Sequence, residues 1–302
     1  LQRDDGLRRA HHAGRAGAVA VSELGAFKGR WFVVKIGGEL AADKPKLAAS
    51  VGAAVRAFLD AGVRVAVIHG GGPQATELTQ KLGLVPRMVG GRRFTDEATL
   101  EVMKMTLAGQ VSVDVAAAFR IAGVPALCTT GVSAGLVDAR KRPAKVITGA
   151  GPDPIDLGLV GDVTDVNTAL FQKLSDAGVV PVLGSLSGDA QGGVFNINAD
   201  TVATRVAARL KAAKLFLVSN VPGVLANKDD PSTRLPTLTP AEARAKIGSG
   251  VIQGGMIPKV EESLAMLEEG IEAIHIVGIS PSNALLGEAE RAGSFGTAFL
   301  RG

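Results

Sequence analysis

Two lysines stand beside glycine pairs at opposite ends of this chain: Lys35 precedes Gly37-Gly38, and Lys259 follows Gly254-Gly255. Between them lies a third glycine turn, Gly70-Gly71-Gly72, which ends the apolar run Val65-Ala66-Val67-Ile68-His69. Asp200 sits at the start of a helix-compatible segment. Backbone without Cβ atoms lets a ligand approach closely, and the unpaired N–H groups of a following first helical turn point at it. Such turns bind anions, and the lysines add cations. Phosphoryl transfer asks a protein for positioning, and for positive charge where the phosphoryl and bridging oxygens are negative. The set suits that chemistry. Blander roles exist for each member, since a strand-end lysine can snorkel to solvent and Asp200 can be a plain helix cap. The alternation of Asn196, Asn198 and Asp200, which places all three on one side of an extended segment, favours function.

Other chemistries find no support. There is no G-x-x-x-x-G-K-[ST] motif, no G-x-G-x-x-G fingerprint and no G-x-S-x-G elbow. The histidines, His11, His12, His69 and His275, have no zinc spacing, so no protein-held metal is expected. His69 reads as a strand-end residue whose ring orders the glycine turn. The single cysteine, Cys128, excludes a disulfide within the chain and reads as a buried, inert thiol. Arg92 and Arg93 lie in the polar loop Gly91 to Asp96. They are either solvated cations or a bidentate clamp for a carboxylate.

The elements that must position these residues follow from periodicity and breakers. Strands are expected at Trp31 to Ile36, Val65 to Ile68, Pro125 to Thr130, Val179 to Leu183, Lys214 to Val218, Ala273 to Val277 and Thr297 to Leu300. Helices are expected at Pro45 to Ala61, Ala75 to Leu82, Glu97 to Ile121, Asn167 to Asp176, Thr201 to Ala212, Pro240 to Lys246, Val260 to Gly270 and Ala284 to Arg291. Lys145-Val146-Ile147 and Leu159 to Val163 read as a hairpin excursion. The core is aliphatic: aromatics are 4% of the 302 residues while glycines number 39, which suits stacked βα units with many tight turns. Alternating strands and helices give an α/β fold, a mainly parallel open sheet sandwiched by helices on both faces. Ligands in such sheets lie beyond the carboxyl ends of the strands. The turns after Ile36, Ile68 and Val218 should therefore meet.

The net charge of +4 owes much to Arg3, Arg8, Arg9 and Arg15, and few aromatics are present for base stacking. No nucleic-acid partner is expected. No membrane is expected either, because no apolar run reads as a span and residues 1–15 lack a signal-type apolar region. The cytoplasm is the expected compartment. Residues 1–27 read as an N-terminal extension.

Taken in order, Lys35-Ile36-Gly37-Gly38, His69 to Gln74, Gly91 to Asp96, Asn196 to Asp200 and Gly254 to Lys259 resemble the amino acid kinase family, over about residue 28 to the end. The resemblance is to the branch acting on N-acetylglutamate. It implies a carbamate kinase-like fold, with residues 28–212 as an acyl-amino-acid lobe and 213–302 as a nucleotide lobe. It implies transfer of the ATP γ-phosphoryl to a side-chain carboxylate, with Mg²⁺ carried on the ATP phosphates. By the family pattern Lys35 and Lys259 stabilise the transferring group and Asp200 holds both lysines. Gly70, Gly71, Gly72, Arg93 and Asn196 bind the acyl amino acid. Gly37, Gly38, Ser219, Asn220, Gly223, Gly255 and Met256 line the nucleotide. A carboxylate nucleophile is already ionised near neutral pH and needs no general base, which agrees with the missing catalytic histidine. Related acyl amino acids, carrier-bound aminoadipate, and a catalytically weak ligand sensor are the alternatives. Thr130 to Gly135 departs from the pattern of close relatives and Gly293 to Thr297 from that of arginine-inhibited members, and the residues before Lys28 do not match the apolar N-terminal helix that builds hexamers, so a homodimer is expected.

Overall fold

The computed structural model describes residues 23–147, 149–227, 229–253 and 256–301. The extension expected at the N-terminus lies outside this range up to residue 22. Leu24 and Phe27 belong to the folded body: Leu24 is buried and the Phe27 ring packs edge-on against Phe32.

One eight-stranded sheet organises the molecule. Its strands are β1 (Trp31–Ile36), β2 (Arg64–His69), β3 (Ala126–Thr130), β4 (Val180–Gly184), β5 (Lys214–Val218), β6 (Thr237–Leu238), β7 (Ala273–Val277) and β8 (Gly296–Leu300). The spatial order is β6-β8-β7-β5-β1-β2-β4-β3. All neighbours are parallel except β7 and β8. Pro181, which cannot donate to a ladder, is accommodated because β4 begins pairing with β2 only at Val182.

The helices are α1 (residues 44–60), α2 (Gly72–Lys81), α3 (Glu97–Ile121), α4 (Thr168–Asp176), α5 (Ala199–Arg209), α6 (Pro240–Gly248), α7 (Met256–Glu268) and α8 (Ala284–Glu290). They cover both faces of the sheet. Period-two alternation sends Trp31 and Val33 of β1 to one face, against Phe171 of α4, Val202 and Val206 of α5, and Val260 and Leu264 of α7. It sends Phe32, Val34 and Ile36 to the other, against Val51 and Phe58 of α1, Val115 and Phe119 of α3, and Leu285 of α8. Strands buried on both faces read as unbroken apolar runs. The aromatics cluster on the second face, where Phe32 meets Phe58 and Phe216 edge-on at 5.2 and 5.6 Å. Removing such a fully buried ring costs about 3–5 kcal/mol.

α3 is the one helix among the described residues long and apolar enough to cross a membrane, and it packs half-buried against the sheet. A π-helical turn, Met105–Val111, interrupts it.

The hairpin excursion differs from expectation. Its strands are Val137–Lys141 and Gly161–Val166, antiparallel in a four-stranded sheet with Leu186–Gly188 and Val194–Asn196. Lys145 forms only an isolated bridge, to Ile155. The first strand lay outside the expected pieces; its alternation buries Val137 and Ala139 and exposes Asp138 and Arg140, which anchors one face of it. Three helix starts also move. α2 begins at Gly72 rather than Ala75, α5 at Ala199 rather than Thr201, and α7 at Met256 rather than Val260.

Candidate active site

Lys35 belongs to the same alternating series as Trp31 and Val33, so its side chain leaves β1 on the face covered by α5. There Nζ lies 2.9 Å from Asp200 Oδ1, with the two side chains 18% and 28% exposed. The cap of α5 explains why this aspartate is available. Asn198 Oδ1 accepts from the backbone N–H of Asp200 at 2.8 Å and does the capping itself. Asp200 sits in the first turn with its carboxylate committed to Lys35. Among the described residues Lys259 forms no ion pair, while both it and Asp200 line the same chamber.

Two chambers meet at Lys35, Gly37 and Gly38. The first, about 290 Å³, is also lined by Asp200, Ser219, Asn220, Lys259 and Glu262. The second, about 340 Å³, is lined by Gly70, Gly71, Gly72, Arg93, Asn196 and further residues. Their junction at a lysine and two glycines fits a reaction between two bound molecules better than a single elongated ligand. Of the residues expected along a nucleotide, Gly223 and Met256 line neither chamber, and Gly255 lies outside the described residues. Gly223 instead packs its backbone against Thr297, where a Cβ would fall 2.6 Å from the hydroxyl oxygen.

The glycine turns are stitched together. Gln74 Nε2 donates to the Gly38 carbonyl at 2.5 Å. A Cβ on Gly38 would sit 3.0 Å from the Gly71 Cα, and one on Gly71 would sit 2.7 Å from Leu107. These two glycines are demanded by protein packing. At Gly37 and Gly72 a Cβ would meet nothing within 4 Å, so open space lies where a ligand would approach. α2 starts at Gly72 without any side-chain cap, leaving its first-turn N–H groups toward the second chamber. His69, fully buried, places its ring nitrogens 3.0 Å from the Gly70 carbonyl oxygen and 3.1 Å from Ser112 Oγ. Burial pulls its pKa down to about 4, so the ring is neutral near pH 7 and orders the turn, as the sequence reading expected.

Arg93 is tied to α2 through Nη2, which donates to Gly72 O at 3.2 Å and to Thr76 Oγ1 at 2.7 Å. Its Nη1 is buried without a partner among the described residues. A buried, unsatisfied guanidinium donor costs free energy unless an acceptor arrives. Burial lowers its pKa, but a guanidinium stays charged. Asn196 donates to Thr95 Oγ1 at 3.1 Å.

Several lining residues escaped the sequence reading. Arg142 reaches the second chamber from the loop after the strand Val137–Lys141, held by Asp162 at 2.7 Å and 10% exposed. Ser185 follows β4 into it. In the first chamber Asn220 Nδ2 donates to Glu39, bridging the end of β5 and the turn after β1. Glu262 enters from α7, and its spacing from Lys259 was a usable signal once the helix start is known. Cys128 is half-buried rather than buried, and desolvation pushes its thiol up to about 12, which disfavours the reactive thiolate.

Comparison with known proteins accords with this geometry. The model of the amino acid kinase family matches residues 30–278. The chain is 50% identical over 268 residues to the acetylglutamate kinase of Sorangium cellulosum (strain So ce56), covering 89% of this chain and 94% of that one. It is 46% identical to that of Anaeromyxobacter sp. (strain Fw109-5), covering 89% and 98%. Among solved structures it resembles the N-acetylglutamate synthase of Neisseria gonorrhoeae complexed with coenzyme A and N-acetyl-glutamate, with a TM-score of 0.75 and 26% identity over 94% of this chain. It spans 62% of that longer protein. Carbamate kinase from Giardia lamblia bound to AMP-PNP shares the fold, with a TM-score of 0.62 and 17% identity over 91% of this chain and 99% of that one. The chain belongs to the amino acid kinase family.

Proposed function

We propose that this chain is an ATP-dependent kinase of N-acetyl-L-glutamate, forming an acyl phosphate and ADP in an early step of arginine biosynthesis. The observation that carries the reading is the Lys35–Asp200 pair at the junction of two chambers. A side-chain carboxylate oxygen of the acyl amino acid attacks the γ-phosphorus from the second chamber. The bond from that phosphorus to the β,γ-bridging oxygen breaks, and ADP leaves with the electron pair. No proton has to move, so no general base is needed. Lys35 and Lys259 neutralise charge on the transferring group, Asp200 fixes Lys35, and Gly37, Gly38 and Gly71 offer N–H donors. Arg93, with its spare donor, takes the α-carboxylate, while Gly70, Gly72 and Asn196 seat the remainder. Ser219 and Asn220 flank the nucleotide. On this reading residues 28–212 serve the acyl amino acid and residues 213–302 the nucleotide.

Magnesium enters as MgATP. The phosphates carry it, as suits a cation that keeps its waters. We place the enzyme in the cytoplasm, where ATP is available, and as a homodimer through the β3 edge. β3 is an outermost strand with an unpaired side, and the adjoining α3 leaves Val113 and Ile121 65% and 69% exposed.

An ATP-dependent hydroxamate assay across N-acetylglutamate, N-succinylglutamate, glutamate, aspartate and N-acetylaspartate tests the assignment. Hydroxylamine traps an acyl phosphate, so signal with N-acetylglutamate above the others is expected. Absence of trapping with any of them would remove the kinase reading.

A further inference from the structure

The second chamber has a one-sided charge. Lys35, Arg92, Arg93 and Arg142 line it, and no aspartate or glutamate is among its described lining residues. The acids around it are committed or lie elsewhere. Asp200 pairs with Lys35 at 2.9 Å and Asp162 with Arg142 at 2.7 Å, while Glu262 lines the first chamber. Lys145 adds a cation near the same wall: burial, then the charges of Arg142 and Arg92, push its pKa down against the pull of Asp162. Met103, Leu157 and Val160 supply apolar surface.

Arg142 has no part in the chemistry described so far. Its backbone N–H donates to the Val160 carbonyl at 2.8 Å, and Val160 forms a bridge to Asn196, so it stands close to a residue that seats the acyl amino acid. The planar guanidinium turns Nε to Asp162 Oδ1 and Nη2 to the Gly161 carbonyl at 3.2 Å. Nη1 forms no hydrogen bond among the described residues. Asp162 is not among the lining residues, so the pair presents its cationic end to the chamber. The side chain is only 10% exposed, so water screens that charge little. A guanidinium has donors only, and so has an ammonium. A free α-amino group here would be one more cation, with no carboxylate to meet it. An acylated nitrogen is neutral, and its carbonyl oxygen accepts.

We propose that Arg142 makes the second chamber selective for an N-acylated amino acid over a free one, repelling an α-ammonium and donating to an acyl carbonyl oxygen. The proposal rests on the kinase reading above and extends it to the substrate's α-nitrogen. Arg93 and Arg142 then divide the substituents of the α-carbon: the first takes the carboxylate and the second reads the nitrogen. A like charge beside a poorly solvated guanidinium is costly. A wrong ligand that also leaves a donor unpaired is rejected more strongly than one that merely lacks a methyl group.

The test is ADP release by the full chain with N-acetylglutamate, L-glutamate and L-α-hydroxyglutarate, in which a neutral hydroxyl replaces the ammonium. For the wild type, kcat/KM for α-hydroxyglutarate should exceed that for glutamate by about tenfold or more. Arg142→Gln removes the charge and offers an acceptor. It should narrow the N-acetylglutamate-to-glutamate and α-hydroxyglutarate-to-glutamate ratios by about tenfold each. Arg142→Lys keeps the charge and should hold both ratios within about threefold of wild type. A contact with Asp162 that merely stabilised the fold would lower all three substrates alike and leave the ratios unmoved. Unmoved ratios in the Gln variant, or ratios in the Lys variant as narrow as those of Gln, would overturn the proposal. So would a wild type that turns over α-hydroxyglutarate no better than glutamate, a comparison that decides alone should the Gln variant fail to fold. If the wild type releases no ADP with N-acetylglutamate, the kinase reading falls instead, and calorimetric binding of the same three compounds decides the selectivity.

Discussion

Replacing Asp200 by asparagine keeps the shape of the side chain and removes its charge. At 2.9 Å, and with an effective dielectric constant of about 20, the Lys35–Asp200 attraction is about 6 kcal/mol before desolvation. The two side chains retain 18% and 28% exposure, so water screens part of this, and a net hold of about 1–3 kcal/mol is reasonable between the exposed and buried limits. Without that hold the ammonium of Lys35 samples other positions. A displacement near 1 Å at a reacting centre costs about a hundredfold in rate. Asp200→Asn should therefore lower kcat about a hundredfold and leave KM for both substrates within about threefold, since an interaction made mainly in the transition state is lost. The hydroxamate assay gives both parameters, and circular dichroism confirms the fold. A kcat within threefold of wild type, or a loss confined to KM, would refute the reasoning.

Arg93→Lys should raise KM for the acyl amino acid by about tenfold or more at nearly constant kcat, because a point charge cannot reproduce the fork that bonds Thr76 and Gly72 while presenting a spare donor. Steady-state kinetics with varied N-acetylglutamate checks this. Gly71→Ala places a methyl 2.7 Å from Leu107 Cδ2 and should destabilise by about 1–3 kcal/mol, visible as a Tm several degrees lower. Gly72→Ala meets nothing within 4 Å, so its Tm should hold while KM for the acyl amino acid rises. The last prediction concerns pH. His69 is held at about 4 in the folded chain against about 6.5 unfolded. A lowered histidine pKa means that the unfolded state takes up its proton first, so this contribution is whole above pH 6.5 and is lost between pH 6.5 and 4. The loss is about 3 kcal/mol over that window, and a His69→Gln variant should show a shallower fall of Tm with acid.

How far the sequence could be read depended on whether a signal was local. The alternation of β1 shows that Lys35 shares a face with Trp31 and Val33, and the glycine turns announce the ends of β1 and β2. The role of Asp200 was less legible, because Asn198 and Asp200 are both good caps and only the folded backbone decides between them. The start of α7 was obscured by Gly254-Gly255 and Pro258, which read as breakers. A proline in a first turn costs no helix hydrogen bond, so the helix includes it and carries Lys259. Arg142 and Ser185 had no local mark at all. They reach the second chamber through the four-stranded sheet and the end of β4, contacts that join distant parts of the chain.

The two lysines are mounted differently. β1 is hydrogen-bonded on both sides near the middle of the main sheet, between β5 and β2, and its apolar side chains are sealed on both faces. Its amides should be among the last to exchange with solvent. Lys259 rides the opening turn of a helix outside the sheet. One charge is thus an anvil, fixed before any ligand arrives. The other hangs from a helix end outside the sheet, so a perturbation of α7 should displace Lys259 and leave Lys35 where it is.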